Sequence, residues 1–338
     1  TIYTNPAGLG QLYGWNFDLI NLLLTLPEDP LTTYRKFSGA ITNISGAINR
    51  GATTEATTEL SNLIGNRLDL GLGFQPIPIA NLTLSRFGLA SMTQLKILSR
   101  VVDPNNPTIR LEAVADGAVY LGYAYPFFDD DLVIGANAKY FYRGSSWDWV
   151  NNRNRLDLTL FNYLSQAGIP VGYYTAGGLS YDVGMIYHLH HPTHPKVGLV
   201  MKNISGGLVG NVSRITASQS NTVTTNEAFT TTLPQITTLG ISVKPMGWLG
   251  WDQLSDLLIA ADYNISDPGV TEFGRSLHLG FEWPVSGFKL RAGMNDGYVT
   301  YGVGMDLGII HTNVAIFREE TGETLGLVPA TTLMVEGH

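Results

Sequence analysis

Gly178-Leu-Ser-Tyr-Asp-Val-Gly-Met-Ile-Tyr-His-Leu-His190 decides how the rest of the chain is read. Its odd positions, Leu179, Tyr181, Val183, Met185, Tyr187 and Leu189, are all apolar, while Ser180, Asp182, Gly184, His188 and His190 stand between them. A repeat of two sends successive side chains to opposite faces of a strand. One face suits an oily medium; the other accepts water and charge. Leu132–Arg143, Ile236–Lys244, Leu257–Asn264, Ser276–Trp283, Phe288–Asn295 and Val299–Ile309 repeat the pattern, and no charge falls on the apolar face of any of them. Such exclusion is expected where lipid is the solvent, because a basic side chain facing the bilayer midplane costs roughly 2–4 kcal/mol. The pattern predicts an all-β protein, a transmembrane antiparallel β-barrel of about 14 strands. A soluble all-β protein is the alternative.

Composition agrees. Only 14% of residues are charged and 44% are hydrophobic, with a mean hydropathy of +0.07; a soluble domain has roughly 25% charged residues. The best apolar run, Leu19–Leu26, is far too short for a spanning helix. The chain has no Cys, which removes disulfides and thiolate metal sites and suits a periplasmic route. A net charge of −8 argues against a nucleic-acid partner. Starting at Thr1, the chain reads as a mature form with its signal peptide removed, from a Gram-negative-type envelope.

Expected strands run over 11–22, 67–75, 78–88, 109–126, 131–143, 177–190, 195–205, 234–244, 255–265, 274–284, 286–295, 298–309, 311–319 and 330–338. Short turns (Gln75–Ile77, Phe127–Asp130, His191–His194, Pro284–Val285, Ile310–His311) alternate with long connections (23–66, 89–108, 144–176, 206–233, 266–273). That asymmetry is typical of an outer-membrane barrel, with the long loops extracellular and both termini periplasmic. Asp296-Gly297 is a tight hairpin on the long-loop side. The whole of 1–338 reads as one barrel domain. Ile41, Ile44 and Ile48 suggest a helix in the loop 23–66; Leu156, Leu158, Leu160, Phe161 and Leu164 suggest a second in 144–176. These helices either gate a ligand or merely brace the loops. Asn221–Thr232 reads as a mobile loop.

Tyr3-Thr-Asn5-Pro6-Ala7-Gly8-Leu9 resembles the Asn-Pro-Ala segment near the mature N-terminus of the FadL family of outer-membrane long-chain fatty-acid transporters. The stretch Leu290-Arg-Ala-Gly-Met-Asn-Asp-Gly-Tyr-Val-Thr-Tyr-Gly-Val-Gly-Met-Asp306, then Phe317-Arg-Glu-Glu-Thr-Gly322, resembles the closing hairpins of a FadL-like group that includes PorV-type and TraF-like barrels. Ala261-Asp-Tyr-Asn264 and Leu277-His-Leu-Gly-Phe-Glu282 fit the same pattern. The resemblance implies a 14-stranded barrel, an N-terminal hatch (residues 1–10, with Asn5, Pro6, Ala7 and Gly8) folded inside, and a lateral opening in the wall. It also implies passive uptake of hydrophobic small molecules such as long-chain fatty acids. PorV-type membership would instead imply a scaffold that holds other envelope proteins. The chain departs from such barrels in the shortness of its hatch and in the lack of a terminal aromatic residue. A loose N-terminal tail is the plainer reading of residues 1–10.

The polar faces carry Lys139, Arg143, Asp182, Lys244, Asp262, Lys289, Arg291 and Asp306, with Asp18, Asp157 and Lys202, and these are expected to point into the lumen. They either pair to stiffen the wall or line a pore. His188 and His190 share a strand face and are weak metal candidates; a polar turn around His191 and His194 is the alternative. Asp129, Asp130 and Asp131 suit either a cation or a solvated turn. No Gly-x-Ser-x-Gly elbow or phosphate loop appears, and neither an enzyme nor a cofactor is expected. Membrane lipids and a hydrophobic ligand are the expected partners.

Overall fold

In the computed structural model the chain is described over residues 2–12, 14–18, 22–27, 29–63, 67–74, 81–102, 108–147, 156–159, 169–217, 222–245, 256–265, 273–306, 311–320 and 329–337. It opens with a 3-10 turn, Pro6–Gln11, then β1 (Trp15–Asp18) and β2 (Leu22–Pro27). Helices α1 (Pro30–Asn49) and α2 (Thr53–Ser61) lead to β3 (Arg67–Phe74) and β4 (Asn81–Leu84). Long strands follow: β5 (Phe87–Val102), β6 (Thr108–Phe127), β7 (Leu132–Trp147), the short β8 (Leu156–Thr159) and β9 (Ile169–His188). Next come β10 (Lys196–Ile204), β11 (Gly207–Ala217), β12 (Thr222–Thr232) and β13 (Ile236–Val243). The chain ends in β14 (Leu258–Asn264), β15 (Leu277–Val285), β16 (Phe288–Asn295), β17 (Tyr298–Asp306), β18 (His311–Glu320) and β19 (Pro329–Gly337).

The barrel closes where β19 pairs with β2. Its wall is β2, β3, β5, β6, β7, β9, β10, β13 and then β14 to β19 in order, an antiparallel ring of 14 strands. Closure pairs the backbone of every wall strand on both sides, which a lipid environment requires. The hairpin β11–β12 continues the wall beyond β10 and β13 and rides on the first half of β9. Short turns carry the residues that left-handed backbone favours: Asp296 and Gly297 have φ of 51° and 77°, and Ser286 and Gly287 have 46° and 88°.

The alternation is realised as the sequence predicts. Leu179, Tyr181, Val183, Met185 and Tyr187 are exposed on the outer surface although apolar, while Ser180 and Asp182 between them are buried. On β6, burial alternates residue by residue from Ala118 to Phe127. Outward aromatics include one group toward the short turns, Tyr125, Phe127, Phe128 and Tyr187, and another toward the long loops, Tyr140, Tyr142 and Tyr173, with Tyr123 and Tyr181 between them. Two such girdles bracket the hydrocarbon layer of a membrane barrel. The protein is a transmembrane barrel, and no described helix is long and apolar enough to cross a membrane.

Several expected boundaries are corrected. Segments 67–75 and 78–88 are not two wall strands joined by a turn: β3 and β4 lie on the same side of β5, and the hairpin comes at Ser85-Arg86. The expected turn Gln75–Ile77 lies outside the described residues. Segment 89–108, which the sequence leaves open between strand and loop, is largely β5. Its upper half escapes the two-residue contrast because Val101 packs under the helices with Phe37, Ala40, Leu60 and Leu63 rather than against lipid. The loop 144–176 is shortened from both sides by β7 and β9, and Leu156–Thr159 is a strand on β6, not part of a helix. The rest of that expected helix lies outside the described residues. Thr222–Thr232, expected to be a mobile loop, is β12. The helix expected from Ile41, Ile44 and Ile48 exists as α1, with Asp29 capping the Thr32 N–H at 3.0 Å and Pro30 in its first turn. It buries Phe37, Ala40 and Ala47, with Ile44 packed alongside, and leaves Ile41 exposed.

Candidate functional site: a plugged and two-sided lumen

Residues 2–12 fold into the barrel interior. Asn5 starts the 3-10 turn by accepting a hydrogen bond from the Ala7 N–H at 3.0 Å, and Pro6 supplies a fixed φ at its first position. Pro6, Ala7, Gly8, Leu9 and Gly10 are all buried. Asn137 Nδ2 donates to the Ile2 carbonyl at 3.0 Å, and the Tyr3 hydroxyl donates to the Ser91 carbonyl at 2.9 Å. Asn5 Nδ2 points to the carbonyls of Met185 and Leu199 at 3.4 and 3.5 Å. The segment is therefore held by polar contacts to β5, β7, β9 and β10.

Four glycines make room for it. Gly88 faces Gly122 in the β5–β6 register, and Gly135 faces Gly184 in the β7–β9 register. A Cβ on Gly135 would stand 2.4 Å from Ala7 N and 2.5 Å from the Pro6 carbonyl carbon; on Gly184 it would stand 2.0 Å from Asn5 Oδ1. On Gly88 or Gly122 it would meet Leu9 at 2.9 Å. These cradle residues were missed in the sequence. Their signal, glycine at inward positions of neighbouring strands, becomes visible only once register is known.

On the β5–β12 side an apolar column fills much of the interior, flanked by the ion pairs Lys139–Asp182 and Arg143–Asp116. From the long-loop end, Trp147, Tyr174 and Phe229 cluster with ring centroids 4.5–5.6 Å apart. The same cluster continues through Val212, Leu208, Phe141, Ala118 and Tyr120 to Ile2, Ala7 and Leu9, with Tyr3 and Met92 against it. Tyr3 and Tyr120 meet edge-on at 5.1 Å. This apolar column runs from the loops to the N-terminal segment and is filled by side chains.

The wall beside Tyr3 is interrupted. The register passes from Phe74↔Thr93 to Leu82↔Leu89, so eight steps along β3–β4 accompany four along β5. Residues 75–80 lie outside the described residues. Tyr3 reaches both sides of this break, hydrogen-bonding Asn81 on β4 and Ser91 on β5.

The opposite half, β14 to β19, is polar and bounds a cavity of about 360 Å³ lined by Ala260, Glu282, Arg291, Thr300, Asn313 and Glu336, among others. Arg291 donates to Glu282 at 2.7 Å and to Asn313 Oδ1 at 2.6 Å, and Asn313 Nδ2 donates to Glu336 at 3.1 Å. Arg291 sits on β16 and Asn313 on β18, so its guanidinium must cross β17. Gly302 and Gly304 on β17 leave that path free: a Cβ on Gly304 would stand 2.7 Å from Asn313 Oδ1 and 3.2 Å from Arg291 Nη1. Gly304→Ala is expected to break the Arg291–Asn313 bond and cost about 1 kcal/mol, discounted for the half-open surroundings. A urea titration of the folded barrel checks this.

Most of the other candidate charges also find partners. Lys139 binds Asp182 at 2.6 Å with both side chains buried, and Arg143 binds Asp116 through two hydrogen bonds of 2.7 and 2.8 Å. Asp262 meets His278 at 2.8 Å, and Arg110 pairs with Asp157 at 2.8 Å. Lys289–Asp306 (3.0 Å) and Lys244–Asp256 (2.9 Å) sit toward the short-turn rim and are half-exposed. The Asp18 side chain lies outside the described residues. Among the described residues, pairs across neighbouring strands dominate.

The histidines do not converge. His188 Nε2 lies 3.1 Å from Gln11 Nε2, whereas His190, beyond the strand and 82% exposed, meets Asp131 at 3.2 Å. His191 bonds Thr193 in the turn. Phe128, Asp129 and Asp130 take left-handed backbone in the β6–β7 turn. Among the described residues no cluster of three metal-ligating side chains occurs.

No family model matches the chain, and no curated protein matches it. Solved barrels do. A deletion mutant of the monoaromatic hydrocarbon channel TodX superposes with a TM-score of 0.50 at 11% identity, covering 99% of this chain and 92% of that one. The toluene transporter TodX of P. putida gives 0.47 at 12% identity, over 99% and 91%. Outer membrane phospholipase A from Escherichia coli gives 0.24 at 12%, over 98% and 95%. The likeness to the TodX mutant is one of fold, shared along nearly the whole chain.

Proposed function

From a FadL-like outer-membrane barrel fold, we propose that the protein takes up hydrophobic small molecules passively, with long-chain fatty acids or monoaromatic hydrocarbons as the ligand class. The observation that supports this most is the N-terminal segment at the inner end of the apolar column, with Tyr3 bridging the interrupted wall between β4 and β5. Ligand enters among the long loops, passes Trp147, Tyr174 and Phe229, displaces Ile2–Leu9 and leaves beside Tyr3, where the register of β3–β4 against β5 shifts. Water cannot follow, because each step exchanges one apolar contact for another. In this reading the long loops are extracellular, both termini are periplasmic, and Asn5, Pro6, Ala7 and Gly8 are the hatch. The TodX structures support it by fold, and their names suggest the aromatic option.

The paired charges of β14 to β19 favour a second reading, a scaffold of the PorV type that holds envelope proteins without transport. Uptake of radiolabelled oleate and of toluene by cells with and without the protein separates the two. Faster uptake of either compound in expressing cells is expected. Equal rates for both would overturn the transport reading and leave the scaffold.

A further inference from the structure

At the far end of the plug Gln11 ties the segment to β9 and β10 at the short-turn rim, while Gly14 beyond it is held by Ser85 in the β4–β5 turn. Gln11 Oε1 accepts from Lys196 Nζ at 3.2 Å, and its Nε2 lies 3.1 Å from His188 Nε2. The roles can be assigned by exclusion. A lysine ammonium only donates, so the amide oxygen faces Lys196 and the NH2 faces His188. An amide NH2 only donates, so His188 Nε2 must be the unprotonated, accepting nitrogen, with the ring proton on Nδ1. Protonating His188 places an N–H against an NH2. It also adds a positive charge beside Lys196. Donor then faces donor, and the bond is lost.

We propose that His188, Gln11 and Lys196 form a pH-sensitive latch: the plug is fastened at its short-turn end while His188 is neutral and comes loose when that ring takes a proton. Histidine ordinarily titrates near pH 6.5, and burial holds His188 below that value, so release requires acid. The charged groups around the ring were weighed. Burial opposes protonation most and Lys196 on β10 adds to it, with Lys244 behind Lys196, while Asp131 and Asp130 in the β6–β7 turn favour it. Asp131 is already engaged by His190. The other plug contacts, Asn5 to β9 and β10, Asn137 to Ile2 and Tyr3 to Ser91, involve no group that titrates near neutrality. Acid therefore loosens residues near Gln11 and leaves Ile2–Asn5 in place. The latch concerns the plug alone and holds whether or not a ligand is carried.

The chain has no cysteine, so a single Leu12→Cys probe carrying a nitroxide reports on this end of the plug without background. In detergent-solubilised full-length protein, the spin-label spectrum is expected to be immobile at pH 8, with a mobile component growing in as pH falls to 5. In the His188→Gln background a neutral amide oxygen still accepts the bond, and the spectrum should stay immobile throughout. In the Gln11→Leu background it should be mobile throughout. A spectrum unchanged between pH 8 and 5 overturns the latch, as does a pH response that survives His188→Gln. Uptake is not measured, so failure here is distinct from failure of the transport reading.

Discussion

Asp182→Ala is expected to destabilise the barrel by about 3–5 kcal/mol, the cost of stranding a buried charge. The side chains of Lys139 and Asp182 are only 6% and 2% exposed, and one carboxylate oxygen, Asp182 Oδ1, accepts from both Lys139 Nζ at 2.6 Å and the Asn203 N–H at 2.8 Å. Truncation therefore orphans an ammonium and a backbone donor together. Asn203 also occupies left-handed backbone at φ 60°, where the β9–β10 register shifts and the wall bends toward the β11–β12 hairpin. Its own amide donates to the Pro234 carbonyl at 2.6 Å, so loss of Asp182 propagates to the junction of β12 and β13. A denaturant midpoint read from the mobility of folded and unfolded barrel on a gel checks this. The double replacement Lys139→Met with Asp182→Leu should recover most of the loss, because removing both charges removes the desolvation penalty with them. If the double variant is as unstable as the single one, packing and not charge holds this junction.

Why that pair was visible in the sequence and its setting was not follows from what lipid can enforce. Lipid penalises charge on one face only, so Lys139 and Asp182 were assigned inward from alternation alone. Their pairing needs the β7–β9 register, which places Asn137 opposite Asp182 and Ser180 opposite Lys139; a stagger of one residue pair lets the side chains meet. Register is set by turns and by the plug, and neither is written as a period. Where strands leave the membrane, the same rule explains the errors. The threonine-rich β12 and the end of β5, where Val101 packs under the helices, carry no two-residue contrast. The N-terminal Asn-Pro pair announces a turn because Asn caps and Pro fixes φ, yet nothing in residues 1–12 reveals that the turn lies inside a barrel. The cradle that receives it is spread over Gly88, Gly122, Gly135 and Gly184, about a hundred residues apart from first to last.

That dispersal makes the cradle the most direct point of attack on the plug. Gly135→Val should expel residues 2–11 from their seat. The new Cβ would stand 2.4 Å from Ala7 N and 2.6 Å from the Pro6 carbonyl oxygen, both main-chain atoms within a turn that Pro6 stiffens. A side-chain rotation cannot relieve such a clash, so either the strand or the plug must move. β7 is paired along its length with β6 and β9, whereas the plug is tethered by a few side-chain bonds. The plug yields. The expected result is a folded barrel with close to wild-type urea resistance, within the roughly 1–3 kcal/mol that overpacking costs. Its N-terminal segment becomes open to protease, and sugar permeation in liposomes rises several-fold. Gly280→Val is the control: it faces the lumen on β15, where a Cβ meets nothing within 4 Å, and it should leave protease resistance and permeation unchanged. A Gly135→Val protein that stays as resistant and as tight as the control would show that the wall, not the plug, is the softer of the two.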